Sequence, residues 1–369
     1  MNNEKISPRQ LWIILFLIRS IIIVSDLPVL TSGNALQDAW ISAILLFFSS
    51  EVFVILMTLL DLKFPDKNLI EYTEEIFGKW VGKIFSFLFI FVFIQFAVIE
   101  TRLYGELLTT YFLPQTPILI IAVSLLIVAV FCVYQGIEVL ARTADFLLLL
   151  VIVAILGIIF IPLRYIDLAN LQPVLVRGWK PIFSGIITPT SYISQIWVLG
   201  MLSNNLTGKK RFSIPITSIG ISLLLLIIIS AITVGVVGAY PASRSTFPIL
   251  TLLRSVKATE FLQRTEVLII FGWGMGFFIA LSTYLYCGTK SLSQVLNLKD
   301  YKITVIPLSI LIAFLSLYVF EDIFTLYKYI NPENYYINGI LFLIAPLTFL
   351  WLGYGLKSLL KIDGDNNEN

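Results

Sequence analysis

The sequence predicts an all-α integral membrane protein: about ten transmembrane helices in a five-plus-five inverted repeat, with helices 1 and 6 interrupted. Three observations predict it. The chain is 58% hydrophobic and 13% charged, with a mean hydropathy of +0.92, whereas a soluble domain carries about 25% charged residues to cover its water-facing surface. Its apolar runs are long and lack a ten-residue alternation, so they read as helices that satisfy their own backbone in hydrocarbon and not as barrel strands. The two most helix-breaking runs lie five spans apart, where two inverted repeats would place corresponding helices.

Taken in order, the runs place spans near 10–30, 40–60, 82–108, 117–134, 144–163, 182–201, 214–238, 266–287, 303–320 and 338–358, each close to the roughly 20 residues a bilayer requires. Polar breakers separate them: Phe64 to Asn68, Pro114 to Pro117, Asn204 to Arg211, and Asn331 to Asn334. One membrane domain covers 1–361, with repeats of about 10–163 and 182–358, and 362–369 form a polar tail. With both termini inside, inner segments hold fifteen Lys and Arg and outer segments eight, which favours that orientation. The long outer connection from Ala239 to Thr265 contains Pro248, which can open a short helix with Leu250, Leu253 and Val256 on one face.

Composition also narrows the chemistry. Histidine is absent, and Cys132 and Cys287 both fall inside apolar runs, so neither a metal site nor a disulfide framework is expected. A net charge of +2 without a basic tract points to no nucleic acid. No nucleophile–base pair, phosphate loop or cofactor motif is present, so no enzyme and no cofactor are expected. The first run lacks a small-residue cleavage site and is followed by further spans, so it reads as a retained helix.

Polar groups inside hydrocarbon are costly, which makes each a candidate for function. The first span carries Arg19 and then Ser25-Asp26-Leu27-Pro28. The sixth carries Thr188-Pro189-Thr190-Ser191-Tyr192 and Ser194-Gln195. A proline removes a helix hydrogen bond, and unwound backbone at the midplane offers amides and carbonyls to a small zwitterion. A proline can also kink a span with no ligand nearby. In the third span Arg102 and Glu106 share a face and can pair, while Glu100 points away. Glu138, Arg142 and Asp145 read as a structural ladder. Arg19 either clamps a ligand carboxylate or neutralises Glu51 or Glu100. The eighth span mixes Gly272, Gly274 and Gly276 with aromatic and hydroxyl residues, a pattern for close packing beside a pocket.

These residues resemble a known family, the GerAB-like B-type subunits of spore germinant receptors. The resemblance runs over nearly the whole chain. It rests on Ile6-Ser7 with Gln10, Asp38-Ala39-Trp40, Glu100-Thr101-Arg102 with Glu106-Leu107-Leu108, and Thr116-Pro117. It continues through Leu171-Gln172-Pro173-Val174 with Gly178 and Pro181, Lys209-Lys210-Arg211, Phe247-Pro248-Ile249, and Arg264-Thr265-Glu266 with Trp273. The resemblance implies the amino acid/polyamine/organocation transporter superfamily with its LeuT/APC-like fold. It implies a spore inner-membrane protein that senses a small-molecule germinant, commonly an amino acid, beside an A-type membrane subunit and a C-type lipoprotein. Ligand contacts would fall on Arg19, Ile23, Ser25 and Asp26; on Phe96 and Glu100; on Pro189, Thr190, Ser191, Tyr192, Ser194 and Gln195; and on Phe277, Thr283 and Tyr284. The chain departs from the superfamily at Ile21-Ile22-Ile23, where glycines are frequent. Bulky β-branched residues there stiffen the helix and crowd a ligand approaching its backbone. An ion-coupled amino acid transporter of the same fold, and a structural subunit with a vestigial pocket, remain as alternatives.

Overall fold

A computed structural model describes residues 4–25, 35–209, 211–256, 260–330 and 332–366. Asp26, Lys210 and Lys257 lie outside them, as do the side chains of Ile23, Ser25 and Thr188. Among the described residues the chain is helical, apart from an isolated parallel bridge between Ile6 and Leu206.

The first helix, α1 (Pro8–Ser25), begins at a capping box. The Ser7 amide donates to Gln10 Oε1 at 2.8 Å and the Gln10 amide to Ser7 Oγ at 3.2 Å, which satisfies two otherwise orphaned donors. Upstream, Ile6 N–H donates to Asn205 O and Thr207 N–H to Ile6 O, each at 2.8 Å. Glu4 accepts from the Ile137 amide at 3.0 Å. Gly136, at φ +93°, leaves room for that carboxylate, because a Cβ there would sit 2.4 Å from Glu4 Oε1. The N-terminal segment thereby ties together the starts and ends of three spans.

A short 3-10 turn precedes α2 (Ala39–Leu62). Asp38 opens α2 without capping it; its carboxylate instead accepts the Leu175 amide at 3.1 Å, while Gln37 reaches Pro173 O at 3.2 Å. The amphipathic α3 (Leu69–Phe77) follows, opened by an Asn68–Glu71 capping box. Then come α4 (Lys79–Tyr111), α5 (Ile118–Tyr134) and α6 (Ile137–Phe160). At 33 residues α4 is about 50 Å long, well beyond the ~30 Å hydrocarbon core.

The second half holds α7 (Trp179–Ser191), α8 (Trp197–Leu202), α9 (Ser213–Val237), α10 (Ala239–Arg244) and α11 (Pro248–Ser255). It ends with α12 (Glu260–Val295), α13 (Lys302–Tyr318), α14 (Ile323–Tyr329), α15 (Pro332–Gly339) and α16 (Ala345–Asn366). Pro248 does open a helix, α11, which buries Ile249, Leu250 and Leu252 and leaves Leu253 half-buried, with Val256 buried just beyond its end. The chain turns through 99° between α13 and α14.

Among the described residues six helices are long and apolar enough to cross a membrane, or seven if the bent pair α13–α14 counts as one span. The apolar α5, at 17 residues, falls just short by that measure. It lies within the same bundle as α1 and α12: α12 packs on α4, α5, α6 and α1, and α1 packs on α9 and α6. Gly276 of α12 permits one close approach, since a Cβ there would meet Ile21 Cδ1 at 2.1 Å. Large apolar side chains face outward, with Trp80 84% and Phe146 77% exposed, the surface expected of a protein solvated by lipid.

Charges follow the sequence reading only in part. Arg102 pairs with Glu106 and also donates to Glu321 O at 3.0 Å. Glu138 pairs with Arg142 at 3.7 Å, but Asp145 meets Arg9 at 2.9 Å, so the expected ladder is split between α6 and the N-terminal end.

Candidate functional site

The sixth span is interrupted. Between α7 and α8 the chain tightens into a 3-10 segment, Tyr192–Ile196. Pro189 has no N–H to give the preceding turn, and nearby hydroxyls take up carbonyls. Thr190 donates to Ile186 O at 2.6 Å and Ser194 to Ser191 O at 2.7 Å. Ser191 lies against α15, where a Cβ on Gly339 would meet its Oγ at 2.7 Å. Pro189, Thr190, Ser191 and Ser194 therefore shape the break.

The residues exposed by that break converge with three other helices. Tyr192 and Gln195 are buried. Phe96 of α4 has its ring centroid 6.1 Å from Tyr192 and 5.3 Å from Tyr284 of α12. Arg19 of α1 is 3% exposed, and Tyr192 and Tyr284 are its electrostatic neighbours. Arg19, Tyr192 and Gln195 share a cavity of about 20 Å³ with Leu15, Ile18, Ile193, Ile196 and Ile219, room for roughly one water molecule. A much larger cavity of about 590 Å³ on the flank, lined by residues such as Tyr104, Leu125, Met275 and Phe278, is apolar and contains no charged side chain.

Other expected site residues stand apart. Glu100 is fully buried one turn along α4 from Phe96. Thr283 donates to Ile279 O of its own helix at 2.8 Å. Phe277 belongs to a separate aromatic group, 5.6 Å from Tyr104 and 6.3 Å from Trp273. The helix α1 runs unbroken through Ile21, Ile22 and Ile23 to Ser25. Arg19 makes no ion pair with Glu51 among the described residues. The Glu51 carboxylate instead faces α9, 3.0 Å from where a Gly220 Cβ would sit. Leu15, Ile18, Ile193, Ile196 and Ile219 are the lining residues the sequence reading lacks; a leucine or isoleucine in an apolar span carries no signal of its own.

Comparison with known proteins places the chain in a family. A family profile described as "Spore germination protein" matches residues 5–322. Spore germination protein KB of Bacillus subtilis is 30% identical over 323 residues, covering 86% of each chain. Spore germination protein A2 of the same organism is 27% identical over 292 residues, covering 78% of this chain and 80% of the other. Among solved structures, a Na+-coupled sialic acid symporter in a substrate-bound outward-open state superposes with a TM-score of 0.68 at 13% identity. That match covers 95% of this chain and 78% of the symporter. The molecule is therefore an integral membrane protein with a LeuT-like transporter fold. The chain belongs to the spore germination protein family.

Proposed function

We propose that this chain is the nutrient-sensing membrane subunit of a spore germinant receptor. A small molecule, an amino acid or a comparable nutrient, binds where the first, third, sixth and eighth spans meet and triggers germination. The observation that carries the reading is the convergence of Arg19, Phe96, Tyr192, Gln195 and Tyr284 at the break in the sixth span, in a chain of the spore germination family. Binding biases an equilibrium between two arrangements of the inverted repeats, about 10–163 and 182–358. Ligands shift such equilibria by their differential affinity, about 1–3 kcal/mol of coupling. An A-type membrane subunit and a C-type lipoprotein read that bias in the spore inner membrane, with both termini of this chain inside.

Removing the chain from spores tests the reading: germination in response to one nutrient class disappears and returns with the gene. Unchanged responses to every nutrient overturn it. The likeness to a symporter supports a second reading, an ion-coupled amino acid transporter. Uptake into proteoliposomes driven by an ion gradient identifies the transporter, and binding without flux identifies the sensor.

A further inference from the structure

We infer that Arg19 and Gln195 form an oxyanion subsite that receives a carboxylate of the ligand, its location resting on the sensor reading above. Arg19 is 3% exposed and Gln195 5% exposed. Among the described residues none of the three guanidinium nitrogens, and neither polar atom of the Gln195 amide, has a hydrogen-bond partner. Both side chains line one cavity. A guanidinium buried without a counter-charge is costly, and it is tolerated where an anion arrives to complete it.

The backbone explains why a side chain has this task. Helix α1 remains helical to Ser25, so its main-chain amides near Ile21 and Ile22 are committed to their own carbonyls. With no unwound turn at that point to offer N–H groups, anion recognition on α1 passes to Arg19. A guanidinium presents paired donors that match the two oxygens of a carboxylate. Gln195, fixed on the 3-10 segment of the sixth span, adds an N–H to one oxygen and leaves its own carbonyl for an ammonium or hydroxyl group of the same ligand.

The class of anion follows from charge. No lysine and no second arginine lines this cavity, so one positive charge is available, which suits a monocarboxylate better than a phosphate dianion. Beyond the guanidinium the lining is Tyr192 and aliphatic side chains, with the ring of Phe96 packed behind Tyr192 and that of Tyr284 behind Phe96, surroundings suited to an apolar remainder.

The minimal probe is acetate, with acetamide and chloride as controls, titrated into the full-length chain in nanodiscs. The readout is the side-chain Nε–H nuclear magnetic resonance signal of Arg19, identified by its loss in Arg19→Lys. Acetate is expected to move that signal saturably while acetamide and chloride leave it in place. Gln195→Leu weakens the acetate response about tenfold, the worth of one hydrogen bond to a charged group. No saturable response to acetate overturns the subsite, and an equal response to chloride reduces it to a general anion hole and overturns the carboxylate assignment. Germination of spores lacking the chain judges the sensor reading separately. A failed acetate titration alongside chain-dependent germination removes the subsite and leaves the sensor in place.

Discussion

Replacing Arg19 with methionine removes the buried guanidinium and keeps most of its apolar stem. In the ligand-free protein this change is expected to stabilise the fold. Three nitrogens lie buried without hydrogen-bond partners among the described residues, and each unsatisfied group costs at least about 1 kcal/mol, so the total is roughly 3 kcal/mol. The methionine fills a little less volume among Leu15, Ile18, Ile196 and Ile219, which returns about 1 kcal/mol as a packing defect. A net gain of about 2 kcal/mol follows, a factor of about 30 in the folded ratio. The assay is unfolding in detergent micelles, with nutrients and organic anions removed, comparing wild type, Arg19→Met and Arg19→Lys. A methionine variant less stable than wild type would refute the reasoning, since it would show that the guanidinium holds a structural partner. The same variant should be defective in ligand response, because functional sites commonly trade stability for recognition.

Three further expectations rest on separate parts of the molecule. Gly276→Val drives a side chain into Ile21, whose Cδ1 lies 2.1 Å from where a Cβ would sit; with Ile21 itself buried, unfolding in detergent should show a loss of about 1–3 kcal/mol. Ser7→Ala removes the hydroxyl half of the α1 capping box, the acceptor of the Gln10 amide, a loss of about 1 kcal/mol, visible as faster amide exchange over residues 9–11. The Glu75 carboxyl, at the end of the bundle away from the site, is held below its ordinary value of 4.5 by the Lys67 hydrogen bond and then by Lys357. A lowered carboxyl contributes stability above its unfolded pKa and loses it as pH falls through the folded one. The contact of α16 with α3 should thus persist at neutral pH and loosen as acid carries the pH below the ordinary carboxyl value of 4.5, read by a spin label at Ser358; a label equally immobile under acid would contradict this.

The helices were legible because bilayer thickness dictates their length: the expected third span, 82–108, sits inside α4, and the expected fourth, 117–134, matches α5 almost to the residue. The break in the sixth span was legible because Pro189 withdraws a backbone donor from the helix. Other features left weaker marks. The short α3 was overlooked between breaker and span, although its Asn68–Glu71 capping box is written in the sequence. Asp38 carries the mark of a helix cap, yet tertiary contact with the loop at Leu175 claims its carboxylate. Arg19 was recognisable as costly from its position alone. That it pairs with neither Glu51 nor any other described carboxylate depends on helix rotation, which a single sequence does not reveal.

The parallel bridge between Ile6 and Leu206 has a mechanical meaning. It fastens the start of the first span to the end of the sixth through two main-chain hydrogen bonds, so the two helices that flank the cavity share a fulcrum at one end. Releasing the fulcrum costs about 2 kcal/mol if each bond contributes about 1. That threshold lies within the coupling energy a bound small molecule can supply. A ligand that drew Arg19 and Gln195 toward a shared anion, as proposed above, would work on both arms of the lever at once.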